Sequence, residues 1–183
     1  LLYFDFRNHG KSGGNVSSLG KLEGLDLTAA VEYLKKENPE LSKKIGVYGI
    51  SMGASVAILT AANDERISAL VVDSPFSSFN YIVVRYAKLF YKIPKYPLTP
   101  ITFLFVKMRL GFNPDDFSAI RYVKKISPRP IFFIHGANDE RIPVDEGKKL
   151  YNMAGEPKEF WEVSGADHME SHSKNPLEYE RRV

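Results

Sequence analysis

The sequence feature that most constrains this chain is a serine between two glycines, placed between an apolar run and an uncharged one. Residues 49–53 are Gly-Ile-Ser-Met-Gly and fit the pattern G-x-S-x-G. The β-prone residues 45–48 precede the pattern, and the uncharged residues 54–62 after it are long enough for a buried helix. The serine of such a turn has a strained backbone, which two glycines permit because they lack Cβ. We therefore predict a strand, a sharp turn that exposes Ser51, and a helix.

This predicted turn favours a nucleophilic role for Ser51. At a helix N-terminus the first backbone N–H groups are available to a developing oxyanion, and the N–H of Met52 is the candidate donor. A serine hydroxyl is a weak nucleophile at neutral pH, so it needs a histidine base and a carboxylate that orients the histidine. The alternative is that a pentapeptide of common residues occurs here by chance.

Loops after two later predicted strands supply the base and the acid. Asp139 follows the predicted strand 131–135, and His168 follows the predicted strand 158–163 in a loop that contains glycine. The carboxyl ends of parallel strands open on one edge of a sheet, so these two residues are expected to converge there with Ser51. The sequence therefore predicts catalytic residues in the order Ser, Asp, His.

Other residues of the same chemical types compete for these roles. His172, four positions beyond His168, is an alternative base if that segment is helical. The alternative acids are Glu140, Asp145 and Asp73. His9 and His135 are expected to be structural, because one lies in a surface loop and the other at a strand end.

Metal or nucleotide binding is a further interpretation of the polar residues. The acidic and histidine residues that suggest a metal site are His135, Asp139, Asp167, His168 and His172. Their spacing fits no metalloprotease helix, and a chain without cysteine has no thiolate ligand. The glycine-rich loop 7–15 contains Gly10-Lys11-Ser12, but Asp5 stands where a P-loop has its first glycine. We predict no metal and no other cofactor.

Composition sets the class of protein. The chain has 183 residues, 44% of them hydrophobic, which is enough for one domain with a substantial core. Its net charge of +3 comes from largely interspersed residues, so we predict no nucleic-acid partner. The lack of cysteine excludes a disulfide framework and is compatible with a reducing compartment, and we expect a cytoplasmic location.

Apolar strands that alternate with helices predict an α/β fold, with a mostly parallel sheet flanked by helices. The predicted strands are residues 1–6, 45–50, 67–73, 131–135 and 158–163. Helices are predicted near 22–36, after Ser51, over 144–154 and from Pro176 onward. We expect residues 1–183 to form a single domain.

Residues 76–125 interrupt this alternation with mixed aromatic and basic residues. We call this segment the insertion, and predict that it is helical and forms a lid over the site. The alternative is a pair of ordinary packing helices. A lid rich in aromatic residues favours a small-molecule ester or peptide-like substrate with an apolar group, and also allows contact with a membrane surface.

Three further motifs make the chain resemble the α/β-hydrolase superfamily, most closely its serine-aminopeptidase-like and esterase-like branch. Residues 5–12 resemble the D-x-R-x-x-G-x-S segment of that fold, residues 135–139 match H-G-x-x-D, and residues 165–168 resemble its histidine loop. The resemblance implies that Ser51 is the nucleophile, His168 the general base and Asp139 the orienting acid. It implies a serine hydrolase, or alternatively an inactive hydrolase-fold module that binds a partner or a membrane through residues 81–112.

The resemblance also implies that the sequence begins at the fourth strand of the fold. In this superfamily the third strand lies between the fourth and fifth strands, and its loop donates the second N–H of the oxyanion site. We therefore expect the intact protein to have an upstream segment of about a hundred residues that pairs with these strands.

Overall fold

Four parallel strands form the sheet of the computed structural model, which describes residues 1–96 and 98–183. The strands lie side by side in chain order: β1 (Ile45–Ile50), β2 (Ile67–Asp73), β3 (Ile131–Gly136) and β4 (Lys158–Val163). Each pair of neighbours is parallel, so all four carboxyl ends open on one edge. The predicted α/β fold with a parallel sheet is confirmed.

Helices connect the strands and flank the sheet. They are α1 (Lys21–Glu37), α2 (Met52–Ala61), α3 (Phe79–Tyr91), α4 (Leu98–Leu110), α5 (Ala119–Tyr122), α6 (Val144–Met153), α7 (Ser171–Lys174) and α8 (Pro176–Arg182). Two 3₁₀ turns, Pro114–Phe117 and Val123–Ile126, flank α5. Among the described residues, none of the helices combines the length and the apolar character needed to cross a bilayer.

Alternating side chains of the strands pack on opposite faces of the sheet, as the pleat requires. In β3, Phe133 joins a large apolar cluster with residues of α1, α2 and α6, whereas the next residue, Ile134, joins a second cluster with Tyr179 of α8. α2 is buried almost all round, with Ala54, Val56, Ala57 and Ile58 fully inaccessible. Ser51 therefore directly precedes a helix that the core holds in place.

The prediction of a buried strand over Leu1–Phe6 is wrong. These residues have no strand conformation, and the side chain of Tyr3 is 83% exposed. An apolar run becomes a strand only where a neighbouring strand completes its backbone hydrogen bonds. β1 is an outer strand of the described sheet, and residues 1–6 are not paired with it. Phe6 still packs against the main core cluster.

The insertion is helical, as predicted. Its described residues contain α3, α4, α5 and the two 3₁₀ turns, and no strand. Ser78 caps α3 by accepting from the N–H of Tyr81, and the N–H of Ile120 donates to the carbonyl of Ser77, which joins the two ends of the segment. Whether the segment acts as a lid stays a prediction.

A buried carboxylate fixes the start of α1. Glu23 is completely inaccessible and accepts hydrogen bonds from the backbone N–H groups of Ser18 and Gly20 and the hydroxyls of Ser17 and Ser18. Burial alone would raise the pKa of Glu23, but these four hydrogen bonds hold it below its ordinary value. The ionised carboxylate therefore orders the chain segment that leads into α1.

We predict that Glu23→Gln lowers the free energy of unfolding by about 1–3 kcal/mol at neutral pH, because an amide nitrogen would face backbone donors. Since the native pKa of Glu23 is depressed, its contribution is present above the ordinary value of 4.5 and is lost as pH falls through the native pKa. Urea unfolding at a series of pH values measures both effects. Glu37→Gln, at the exposed end of the same helix, is the matched control; equal losses in both variants would contradict the prediction.

Candidate active site

Ser51 lies at the sharp turn between β1 and α2. Its backbone has φ 52° and ψ −114°, a conformation that L-residues rarely adopt. The N–H of Ser51 donates to the carbonyl of Asp73 on β2 (2.8 Å), so the sheet holds this residue in the strained conformation. Met52 is the first residue of α2, where an N–H has no acceptor within the helix. This N–H is therefore available at the mouth of the turn.

Only the first glycine of the motif is required by close packing. A Cβ on Gly49 would lie 2.5 Å from the carbonyl oxygen of Gly53, whereas the nearest heavy atom to a Cβ on Gly53 is on the ring of Phe6 at 3.9 Å. The expectation that both glycines are needed for lack of a Cβ is thus wrong for Gly53. At Gly53 the backbone carbonyl lies close to Gly49 of β1, whereas a side chain on Gly53 would have room.

Ser51, His168 and Asp139 form a chain of hydrogen-bonding distances across three loops. Ser51 Oγ lies 3.1 Å from His168 Nε2, and His168 Nδ1 lies 2.7 Å from Asp139 Oδ2. The imidazole is almost buried, with 4% of its side chain exposed, and the Asp139 side chain is inaccessible. Because a carboxylate only accepts, Nδ1 carries the proton and Nε2 is left to accept from the serine hydroxyl.

The turn after β3 aims the carboxylate of Asp139 at His168. Asp139 Oδ1 accepts from the backbone N–H groups of Arg141 (2.9 Å) and Ile142 (2.7 Å), which leaves Oδ2 for the imidazole. His135 Nε2 donates to the carbonyl of Ile142 (2.7 Å), and burial lowers the pKa of His135. A neutral His135 thus closes the turn that orients the acid, in agreement with a structural role.

Asp167 contributes to the site in a way that the sequence analysis missed. Its Oδ1 accepts from the N–H of His168 (2.6 Å) and from the N–H of Glu140 (3.2 Å), so it joins the loop of the histidine to the loop of the acid. These two backbone hydrogen bonds hold the pKa of Asp167 below its ordinary value. The sequence signal for this role was the position of Asp167 directly before His168, where its carboxylate can accept a hydrogen bond from the backbone N–H of His168.

The alternative residues lie elsewhere. His172 is exposed and pairs with Glu180 (3.4 Å), and Asp145 is exposed on α6. Glu140 contacts Asp167 and Arg85 only through its backbone. His9, in the first loop, bonds the carbonyl of Arg7. In residues 1–96 and 98–183, His, Asp and Glu side chains form no group of three or more suited to a metal ion.

Asp73, the remaining alternative acid, belongs to a buried network behind the site. Its carboxylate accepts from the hydroxyls of Ser74 (2.9 Å), Ser171 (3.2 Å) and Tyr179 (2.9 Å), and Tyr48 in turn bonds Tyr179 (2.8 Å). Burial raises the pKa of Asp73 against the opposing effect of these hydrogen bonds. The network ties α7 and α8, which follow the histidine loop, to the end of β2.

Comparison with known proteins identifies the family. Residues 1–102 match the family model described as X-Pro dipeptidyl-peptidase (S15 family). The chain belongs to the S15 family of the α/β-hydrolase superfamily. The superfamily resemblance predicted from the sequence is confirmed.

Relatives of this S15-family chain include proteins from bacteria, a yeast and an archaeon. Protein YqkD of Bacillus subtilis is 33% identical over the whole chain, and protein bem46 of Schizosaccharomyces pombe is 33% identical over 86% of it. The esterase Pf2001 of Pyrococcus furiosus is 37% identical, with a TM-score of 0.77 over 98% of this chain and 66% of its own. The chain spans 60% of the length of YqkD and 48% of bem46.

We predict that Gly49→Ala lowers the free energy of unfolding by about 1–3 kcal/mol, because its Cβ would overlap the backbone of Gly53. Gly53→Ala is the matched control and should change stability by about 0.5 kcal/mol or less. Chemical denaturation of both variants measures the difference. Equal stability of the two variants would show that the strand and helix are not held this closely together.

We also predict a pH-dependent effect of Asp73→Asn. Since burial raises the native pKa of Asp73, its contribution to stability is full below the ordinary value of 3.8 and declines as pH rises through the native pKa. The variant should therefore become more stable relative to the natural protein as pH rises, by about 1.4 kcal/mol for each tenfold increase in proton affinity. Paired thermal unfolding across pH tests the sign, and the reverse trend would contradict it.

Proposed function

We propose that this protein is a serine hydrolase that cleaves a carboxylic ester of a small molecule through an acyl-enzyme. The observation that carries the proposal is the aligned set Ser51 Oγ, His168 Nε2, His168 Nδ1 and Asp139 Oδ2, with consecutive distances of 3.1 and 2.7 Å, at the start of a helix. A serine with an adjacent base and a buried orienting acid is the arrangement that nucleophilic acyl transfer needs. Membership of a family of hydrolases supports it.

In the proposed reaction, Ser51 Oγ attacks the carbonyl carbon while His168 Nε2 takes its proton. The carbonyl oxygen becomes an oxyanion next to the N–H of Met52. His168 then returns the proton to the departing alcohol, which leaves an acyl group on Ser51. Water, activated by the same nitrogen, releases the acid, while Asp139 stabilises the imidazolium in both steps.

An ester substrate is preferred over an amide on two grounds. The first ground is that the similar protein Pf2001 is an esterase. The S15 family model describes a dipeptidyl-peptidase, and the second ground concerns what such a substrate would require. Release of a dipeptide requires acceptance of a free α-ammonium group, and residues 74–114 of the insertion contain six Lys or Arg and no Asp or Glu. These residues repel an ammonium group, so the segment disfavours such substrates. The aromatic residues of the insertion favour an apolar acyl group.

The second candidate function is a hydrolase-fold module that binds a partner or membrane without catalysis. The exposed apolar side chains of α4 favour it, because an enzyme with a buried substrate does not need them. The two candidates differ in one observable. Ester turnover by the full-length protein that depends on His168 supports the enzyme, and binding without turnover supports the module.

We predict that Ser51→Ala and His168→Ala each lower kcat for p-nitrophenyl ester hydrolysis by about 10³-fold or more in the full-length protein, because each removes part of one catalytic unit. Asp139→Asn should lower kcat with little change in KM, because it disturbs the histidine tautomer rather than substrate contacts. The measurement is steady-state kinetics with a series of acyl chain lengths and an aminoacyl-prolyl anilide for comparison.

His172→Ala is the matched control for the histidine, because its ring lies on the surface against Glu180. Its kcat should stay near that of the natural protein. Similar losses in His172→Ala and His168→Ala, or anilide turnover that exceeds ester turnover, would reject the proposed ester hydrolase.

A further inference from the structure

Helix α4 is apolar on both of its sides, although only one side meets the protein. Thr99, Phe103 and Val106 face inward, where Phe103 packs 6.2 Å from the ring of Phe79. The outward residues are large and exposed, with Phe105 64% and Met108 69% accessible. The others on this outer side are Leu98, Ile101 and Leu104. Thr102, Lys107 and Arg109 are also exposed on α4, but this many large apolar side chains on one outer surface suit it to contact with a second apolar phase.

The end of α3 and the residues that follow extend this surface with aromatic rings. Phe90 and Tyr91 end α3 and are exposed, with Tyr91 74% accessible, and Tyr96 lies exposed before α4. Tyrosine has an apolar ring and a polar tip, which suits it to the boundary between hydrocarbon and water. We call residues 88–96 and 98–109 the α3–α4 surface.

The charge of this region has one sign. Residues 74–114 contain six Lys or Arg and no Asp or Glu, a formal charge of +6, which is twice the +3 of the whole chain. The remainder of the protein is therefore net acidic. Arg85, Lys88 and Lys95 line a cleft of about 410 Å³ between α3 and α4, together with Phe103 and Tyr81. Basic groups beside an exposed apolar helix are the recognition features of an anionic lipid surface.

We propose that the α3–α4 surface docks the protein on an anionic phospholipid bilayer, with the outer side of α4 in the interface and the basic residues against the headgroups. A second copy of the chain is a poorer occupant, because a two-fold contact would place this positive surface against itself. The inference goes beyond the proposed ester hydrolysis and does not require it, since none of the side chains of Ser51, His168 and Asp139 takes part in the docking.

Docking at this surface would bring the bilayer close to the site. Arg85 of α3 donates to the carbonyl of Glu140, in the loop that contains Asp139. Ile82 of α3 shares an apolar cluster with Ile142, and Met52 packs against the same cluster. α3 therefore contacts both the bilayer-facing helix and the residues around the serine. The expected substrates, which rest on the proposed function, are apolar acyl esters taken from the lipid phase.

Co-sedimentation with lipid vesicles tests the proposal. The full-length protein with Ser51→Ala prevents hydrolysis from changing the vesicles, and it should bind vesicles of phosphatidylglycerol mixed with phosphatidylcholine but not phosphatidylcholine alone. Binding should weaken as salt is raised, because exposed charges are screened. Lys92→Gln and Lys95→Gln should each weaken binding about fivefold, and Phe105→Ser about tenfold or more.

Matched controls remove the same groups from other exposed positions. Lys36→Gln, Lys44→Gln and Leu25→Ser should leave vesicle binding unchanged, and circular dichroism checks that every variant is folded. The proposal is overturned by equal binding to both kinds of vesicle, by equal losses in the control variants, or by a dimer that depends on Phe105 in place of vesicle binding. Hydrolysis of a soluble ester by the unsubstituted protein reports separately on the proposed function.

Discussion

The hydrogen bond between His168 and Asp139 is the contact on which the candidate site depends, because it joins the loop after β4 to the loop after β3 next to Ser51. Each partner is fixed by its own backbone contacts. The N–H groups of Arg141 and Ile142 hold one oxygen of Asp139, and Asp167 holds the N–H of His168. The imidazole therefore has one tautomer and one orientation, and its free nitrogen faces Ser51 Oγ at 3.1 Å.

Behind this contact, the parallel sheet supplies the common edge at which distant residues meet. Ile50, Asp73 and Ile134 lie in register on adjacent strands. The loops that follow these strands therefore begin at the same edge of the sheet. The strained backbone of Ser51 is held by the carbonyl of Asp73, while the Asp73 side chain anchors α7 and α8 through Ser171 and Tyr179. One residue at the end of β2 thus supports both the turn at Ser51 and the chain that follows the His168 loop.

The sequence predicted those parts of the fold that local pattern determines. The segments 45–50, 67–73 and 158–163 are strands with the predicted bounds. Segment 158–163 mixes Phe160, Trp161 and Val163 with three charged residues, whereas the first two are short apolar runs between polar or turn residues. Leu1–Phe6 has the same pattern but is not a strand, since strand formation depends on a neighbour and not on the run itself. The requirement for Gly49 rather than Gly53, and the bridging role of Asp167, depend on packing between distant segments, which no local pattern contains.

A covalent serine probe tests the central claim most directly. We predict that a fluorophosphonate reacts with the full-length protein and that mass spectrometry locates the adduct on Ser51, because Ser51 is the one serine of residues 1–96 and 98–183 that has an imidazole nitrogen within hydrogen-bonding distance of its hydroxyl. Labelling should be strongly slowed in a His168→Ala variant. An adduct on another serine, or the same labelling rate without His168, would contradict the account.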